Sequence, residues 1–381
     1  MDIDKYYDYA ATAPLNKKIF EEVYDRYKDV IFGNPSANHI GGSETSKLLK
    51  EARLMIANKF GCEPEEIIFT SGGSESDNLA IKGIMLKYRP GDAELITSTI
   101  EHPAILETCK QLERWGYTIK YVNPDNYGFI KPEDIENLIT SKTKLISIMA
   151  VNNEVGSYQN LFDIYKIAKE HNILFHTDSV QAYNDNNSFI CDMASFSAHK
   201  FGGLKGTGFL YKRKDIELEP LICGGGQEFG IRSGTENVFG NLVMAHCYDE
   251  IKNYGDINWD EIDEFVKNLV DEFQDDIMIL GQSDKILTLA FRNINGESLQ
   301  MLLSNKGYMV STGSACHSAS SEVSHVLKAM NVPNDFINGV IRISLPTIGS
   351  TTEIMNKLSG LDKLEKEIVF YVKILMKGMS K

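Results

Sequence analysis

The 381 residues predict an α/β fold on a mainly parallel sheet, and three observations carry that prediction. Short apolar runs alternate with segments of helical period from about residue 16 to residue 255. Turn residues such as Gly72-Gly73 punctuate that alternation. No 20–50-residue repeat and no low-complexity linker suggests a solenoid or a tethered array instead. Strand, helix and strand in succession place helices over both faces of a sheet, with chemistry at the carboxyl ends of its strands.

Taken in order, Ile19, Phe20, Val23 and Tyr27 recur at helical spacing, as do Leu48, Ala52, Met55 and Ile56. Residues 66–70 read as a buried strand, followed by Gly72-Gly73 and a helix from Ser74. Further strands are expected at 94–98, 117–122, 144–151, 173–178, 193–198 and 207–212. After about residue 255 the texture changes. An acidic helix over 259–274 leads to strands near 277–280 and 286–291, a helix near 297–306 and a strand at 308–310. A Gly/Ser loop, a helix at 324–331, a strand at 340–345 and a long C-terminal helix complete a smaller α+β unit. The expected division is a large domain over 16–255 and a small one formed by 1–15 with 256–381.

Composition narrows the function. The formal charge is −14 with no basic block of five or more, which argues against nucleic acid or an anionic membrane as the main ligand. No apolar run approaches the roughly 18–20 residues that cross a bilayer. The N-terminus lacks the basic and apolar regions of a secretory signal, so a cytoplasmic location is expected. The cysteines at 62, 109, 191, 223, 247 and 316 show no C-x-x-C and no zinc-ligand spacing, so no metal site is expected. The first five read as reduced thiols, mostly small core residues.

Two residues then point to chemistry. Lys200 ends Ser197-Ala198-His199-Lys200 and precedes Phe201-Gly202-Gly203, an amine held out of a tight turn. Asp178 and Gln181 lie about twenty residues upstream, just after an apolar stretch. An amine with such a carboxylate is what pyridoxal 5'-phosphate needs: the lysine forms a Schiff base and the acid keeps the pyridine nitrogen protonated. The segment 70–78 joins a strand to a helix with free backbone N–H groups and hydroxyls, a phosphate site or an ordinary capped loop. Ser197, His199 and Thr235 add donors. His102 follows a strand-like run, where an imidazole can stack on the ring and exchange protons, or sit on the surface. Asn153 follows another, where an amide can reach the ring hydroxyl.

With these residues in place the chain resembles a cysteine desulfurase of the NifS/IscS type, within the class V aminotransferase group. The resemblance runs nearly end to end: Tyr7 to Thr12, Asn34-Pro35-Ser36 with His39 and Gly42, Ser71 to Asn78 and Glu101-His102. It continues through Asn152-Asn153-Glu154, Asp178 with Gln181, Ser197 to Lys200, Arg232 to Asn237 and Gly313 to Cys316. It implies the type I fold of pyridoxal-phosphate transferases. Lys200 would carry the cofactor, Asp178 partner its pyridine nitrogen, Gln181 and Asn153 bond the phenolic oxygen, and His102 stack on the ring. Gly73, Ser74, Ser197 and His199 would hold the phosphate. Thr235 would reach the phosphate of a neighbouring subunit, implying a homodimer.

Cys316 sits in a small, polar stretch, residues 310–321, which disfavours a fixed conformation. It is an incidental surface thiol or a mobile one that collects sulfur from the substrate and passes it on. In the second reading its thiolate attacks the sulfur of L-cysteine, leaving alanine and a persulfide. Arg342 is the natural clamp for the substrate carboxylate, with Asn34 as helper; otherwise it is an ion-pair residue. Ser74, His317 and Pro346 depart from the family pattern, and Pro346 bears on the placement of Arg342. The Lys-rich tail, 373–381, bears on which acceptor docks. An iron–sulfur scaffold, a tRNA thiolation protein and a thiamine-pathway carrier stay open as acceptors. So do two other activities, aminotransferase and selenocysteine lyase, and a non-catalytic sulfur-relay role.

Overall fold

The computed structural model describes residues 2–184, 190–251, 259–281, 283, 285–312, 323–346 and 351–379. Cys316 and His317 lie outside the described residues. After α1 (Lys17–Tyr27) and α2 (Ile40–Phe60) come β1 (Ile67–Thr70), α3 (Gly73–Met85), β2 (Glu94–Ser98), α4 (Pro103–Arg114) and β3 (Thr118–Val122). Then follow α5 (Pro132–Glu136), β4 (Thr143–Ser147), α6 (Leu161–Glu170), β5 (Leu174–Asp178), β6 (Met193–Ser197) and β7 (Gly208–Lys212). These seven strands form one sheet in the order β1-β7-β6-β5-β4-β2-β3. It is parallel from β3 through β6, with β7 and β1 antiparallel at one edge.

The remaining elements are α7 (Val238–Asp249), α8 (Asp260–Phe273), β8 (Ile277–Leu280), β9 (Ile286–Phe291), α9 (Gly296–Asn305), α10 (His325–Ala329), β10 (Val340–Ser344), α11 (Thr351–Ser359) and α12 (Leu361–Met379). β10, β9 and β8 make an antiparallel three-stranded sheet. One apolar cluster on the large sheet gathers Ile56, Phe69, Ile146, Phe175, Phe196 and Phe209. A separate cluster joins Tyr7 to Phe265, Leu289, Ile343 and Leu364 around the small sheet. The continuous burial of β1 and β6 is what a sheet covered on both faces requires.

Two expected strands come out differently. The strand expected over 144–151 ends at Ser147. The reason is local: the Met149 N–H donates to the Glu101 carboxylate rather than to a ladder carbonyl, at 3.0 and 3.1 Å to its two oxygens. The strand expected at 308–310 is reduced to isolated bridges, Tyr6 with Met309 and Ser311 with Arg342. Here the N-terminal segment takes the pairing: Tyr7 N–H donates to Met309 O at 2.8 Å, and Ser344 N–H to Tyr7 O at 2.9 Å. That sets Asp8 beside β10 and brings the Ala10 and Ala11 carbonyls to Lys200 at the large sheet's carboxyl end. Cys109, Cys191 and Cys247 are buried and Cys62 half-buried, as expected of core thiols, whereas Cys223 is exposed. No helix of the described residues is long and apolar enough to cross a membrane.

A buried ion pair ties α2 to the loop after β7. Arg53 and Glu228 are 6% and 5% exposed, with guanidinium–carboxylate contacts of 2.6 and 2.8 Å; Glu228 also accepts from Phe69 N–H. Removing one partner strands the other charge, so Arg53→Met is expected to cost about 3–5 kcal/mol, read as a loss in the denaturant midpoint. A double Arg53→Met, Glu228→Leu variant regains part of that loss.

Candidate active site

A cavity of about 350 Å³ opens at the carboxyl ends of β4, β5 and β6 and is lined by Gly73, Ser74, His102, Asn153, Asp178, Gln181, Ser197, His199, Lys200 and Arg342. Ten positions singled out from the sequence thus converge on one space, from segments far apart in the chain. Two do not. Asn34 is exposed and its side chain accepts from Ser36 N–H at 2.9 Å, closing its own turn rather than reaching Arg342. Thr235 is exposed and does not line this chain's own cavity.

The cavity begins at the N-terminus of α3. Gly72 holds φ 147°, a conformation open to glycine, and caps the helix without a side chain. A Cβ at Gly73 would meet Val180 Cγ2 at 2.6 Å, so only glycine lets the first turn approach β5 this closely. The helix end therefore presents bare backbone donors and the positive end of its dipole beside Ser74, Ser197 and His199. Nδ1 of His199 contacts Thr12 Oγ1 at 3.1 Å, and burial pushes the imidazole down to about 4.

At the floor, Asp178 ends β5 at 5% exposure, and its Oδ1 accepts from Val180 N–H at 2.9 Å. Burial pushes its carboxyl up to about 6, against the lowering influence of the Val180 N–H and the Lys200 charge. Lys200 Nζ donates to the carbonyls of Ala10 at 2.5 Å and Ala11 at 3.1 Å, so the N-terminal segment fixes the amine. Gln181 Nε2 donates to the same Ala10 carbonyl at 2.8 Å. His102 is the N-cap of α4; its Nδ1 accepts from Ala104 N–H at 3.1 Å, so the ring proton resides on Nε2. Burial, then the charges of Lys200 and His325, push it down to about 4, so the imidazole is neutral.

On the opposite wall Arg342, 2% exposed, projects from β10. It donates to Asn153 O at 2.6 Å and pairs with Asp8 at 2.9 Å, while its Nε has no partner. A guanidinium with a spare buried donor at a cavity wall is suited to a carboxylate. Pro346 is buried just beyond β10 and leaves Arg342 in the wall. Three carboxyl groups around the cavity have no role that the sequence predicts. Asp8 orients Arg342, and Asp77 and Glu154 line the space. They lie inside motifs that the sequence marked, but nothing local shows which residue of a motif turns inward.

The family model for class-V aminotransferases matches residues 5–356. The chain belongs to the class-V aminotransferase family. It is 40% identical to the cysteine desulfurase IscS of Dictyoglomus turgidum over 97% of this chain and 96% of that one. With the cysteine desulfurase IscS of Methanosarcina thermophila it shares 38% identity over 95% and 92% of the two chains. Among solved structures, a NifS-like protein superposes with a TM-score of 0.83 at 36% identity, covering 94% of this chain and 98% of that one. A structure described as SspA in complex with cysteine gives 0.80 at 35% identity, covering 91% and 100%. Pyridoxal phosphate is the cofactor of this family, and the cavity fits it. A helix N-terminus closed to any residue but glycine suits the phosphate. The buried carboxyl of Asp178 suits the pyridine nitrogen, and the tethered amine of Lys200 suits the aldehyde.

Proposed function

We propose that the protein is a pyridoxal-phosphate-dependent cysteine desulfurase that converts L-cysteine to L-alanine and places the sulfur on Cys316 as a persulfide. The observation that carries this reading is the single cavity uniting Lys200, Asp178, His102 and Arg342, in a chain so close to cysteine desulfurases along its whole length. The cofactor, when bound, supplies an electron sink for the carbon that bears the amine.

The protein's own groups do the rest. Arg342 takes the substrate carboxylate and so fixes which face of the substrate meets Lys200. Lys200, as free amine, removes the Cα proton. Asp178 holds the proton of the ring nitrogen. His102, neutral with its proton on Nε2, donates a hydrogen bond without adding a positive charge beside Lys200. Asn153 and Gln181 orient the ring oxygen. Gly73, Ser74, Ser197 and His199 bind the phosphate, and Thr235 serves the partner subunit of a homodimer. The Cys316 thiolate attacks the substrate sulfur: an S–S bond forms, and the C–S bond breaks with its electron pair left on carbon. A proton then completes the methyl group of alanine.

This reading carries the two-domain division, 16–255 and 1–15 with 256–381, and the clustering of Tyr7 with the core of the small sheet supports it. It also carries a cytoplasmic location and a protein acceptor for the sulfur, an iron–sulfur scaffold or a tRNA thiolation protein. The test is to supply L-cysteine to the purified, cofactor-loaded protein and measure alanine, with mass spectrometry of the Cys316 peptide for one added sulfur. Absence of alanine, or added sulfur on Cys223 alone, would overturn the reading.

Glu154 sets an expected pH dependence. It is 4% exposed, accepts from Ser324 Oγ at 2.5 Å, and burial pushes its carboxyl up to about 7 despite that bond and the charge of Arg342. Above that pH it ionises and competes with substrate for Arg342. KM for L-cysteine is therefore expected to rise several-fold from about pH 6 to pH 8 at constant kcat, and the rise should disappear in Glu154→Gln.

A further inference from the structure

Asp77 has no part in the chemistry above, yet at 1% exposure it is the most deeply buried acid lining the cavity. It sits in the second turn of α3, against β5 and β6. The groups facing it are Asp178 and His176 from β5, Ser195 from β6, and Glu101 from the loop after β2. None of them is a cation. His176 is fully buried, its Nδ1 is 2.9 Å from Ser147 Oγ and its Nε2 2.9 Å from Ser195 Oγ, and burial pushes it down to about 3. Its Nε2 stands 3.7 Å from Asp77 Oδ1, and that oxygen has no hydrogen-bond partner. Asp178 differs: it has the Val180 N–H and the Lys200 charge. Two neighbouring buried carboxyls do not both ionise; Asp77 has the Ser195 hydroxyl alone, so the one facing a backbone N–H and a cation keeps the charge.

We propose that Asp77 is a positioning residue, buried as the neutral acid behind Asp178, so that the one negative charge of the pair rests on Asp178 beside the ring nitrogen. Burial, then the charge of Asp178, pushes the Asp77 carboxyl upward against the lowering hydrogen bond from Ser195, in keeping with that state. Were the charge on Asp77 instead, Asp178 would carry the proton and could not hold that of the ring. The role rests on pyridoxal phosphate occupying the cavity.

Three measurements test it. The infrared difference between carboxyl-labelled wild type and Asp77→Asn at about pH 7, with apoprotein and holoenzyme, is expected to show a protonated-carboxyl band. Denaturant unfolding of the two apoproteins gives the second readout. A carboxyl with a raised folded pKa stabilises fully below its unfolded value, near 3.9, and loses that contribution as pH rises through the folded pKa. Asp77→Asn stays neutral, so it gains on wild type by up to about tenfold in unfolding constant per pH unit over that window. Third, Asp77→Asn should hold pyridoxal phosphate within about threefold of wild type, and Asp77→Leu, of similar size but without polar atoms, at least about tenfold more weakly. A carboxylate band with a pH-independent stability difference would overturn the proposal. So would Asp77→Asn releasing the cofactor as readily as Asp77→Leu. If wild type binds no pyridoxal phosphate, the proposed function fails instead, while the Asp77 band stays readable in the apoprotein.

Discussion

Replacing Lys200 by alanine is expected to lower alanine formation from L-cysteine by roughly 10⁴-fold, the upper end of what a positioned proton acceptor contributes. The amine is held by the Ala10 and Ala11 carbonyls at the cavity floor, and no second amine lines that space among the described residues. His102 does not replace it as a base: its Nδ1 is occupied by Ala104 N–H, and its Nε2 already carries a proton. The variant should still take up pyridoxal phosphate, because the helix terminus, Ser197, His199 and Asp178 are untouched. Borohydride should fix none of it to the protein, whereas in wild type it labels the Lys200 peptide. Retention of more than about one per cent of turnover would move the proton transfer to another residue.

Cys316→Ser is expected to reduce alanine formation at least about 100-fold when L-cysteine is the only thiol added. A hydroxyl is a poor nucleophile toward sulfur, and a free thiol from solution lacks the effective concentration of a tethered one. Absorbance changes on adding L-cysteine should persist, because Lys200 and Arg342 remain, and an added small thiol should restore part of the turnover. The other thiols do not substitute. Burial pushes Cys62 and Cys247 up to about 12, and pushes Cys109 and Cys191 up as well, so none of them is a thiolate near neutral pH. Cys223 is exposed but does not line the cavity. Full turnover by Cys316→Ser with L-cysteine alone would remove Cys316 from the reaction and favour another activity of the family.

Much of this site was legible because its residues sit where strands stop. Asp178 ends β5, Ser197 ends β6 with Lys200 in the turn after it, and Gly72-Gly73 joins β1 to α3. Each is marked by an apolar run that breaks into small or polar residues, a signal carried by adjacent positions. The roles of Asp8, Asp77 and Glu154 carried no such signal. Asp8 acts through Arg342, 334 positions away. Glu154 meets Ser324 across 170. The two misplaced strands have the same origin. The sequence around 148–151 and 308–310 is apolar enough to pair, but the Glu101 side chain takes the Met149 N–H, and the N-terminal segment takes Met309.

The amino-acid order alone determined the α/β alternation, the bare glycine turn before α3, and the pairing of an amine with an upstream acid, since each depends on residues close together in the chain. The tertiary structure alone decided that Asn34 stays with its own turn and that Asp8 and the Asn153 carbonyl orient Arg342. It also decided that the carboxyls of Asp77, Glu101 and Asp178 crowd one another out of reach of water. Burial and long-range hydrogen bonds set the charge of such groups, and both arise only when distant segments pack together.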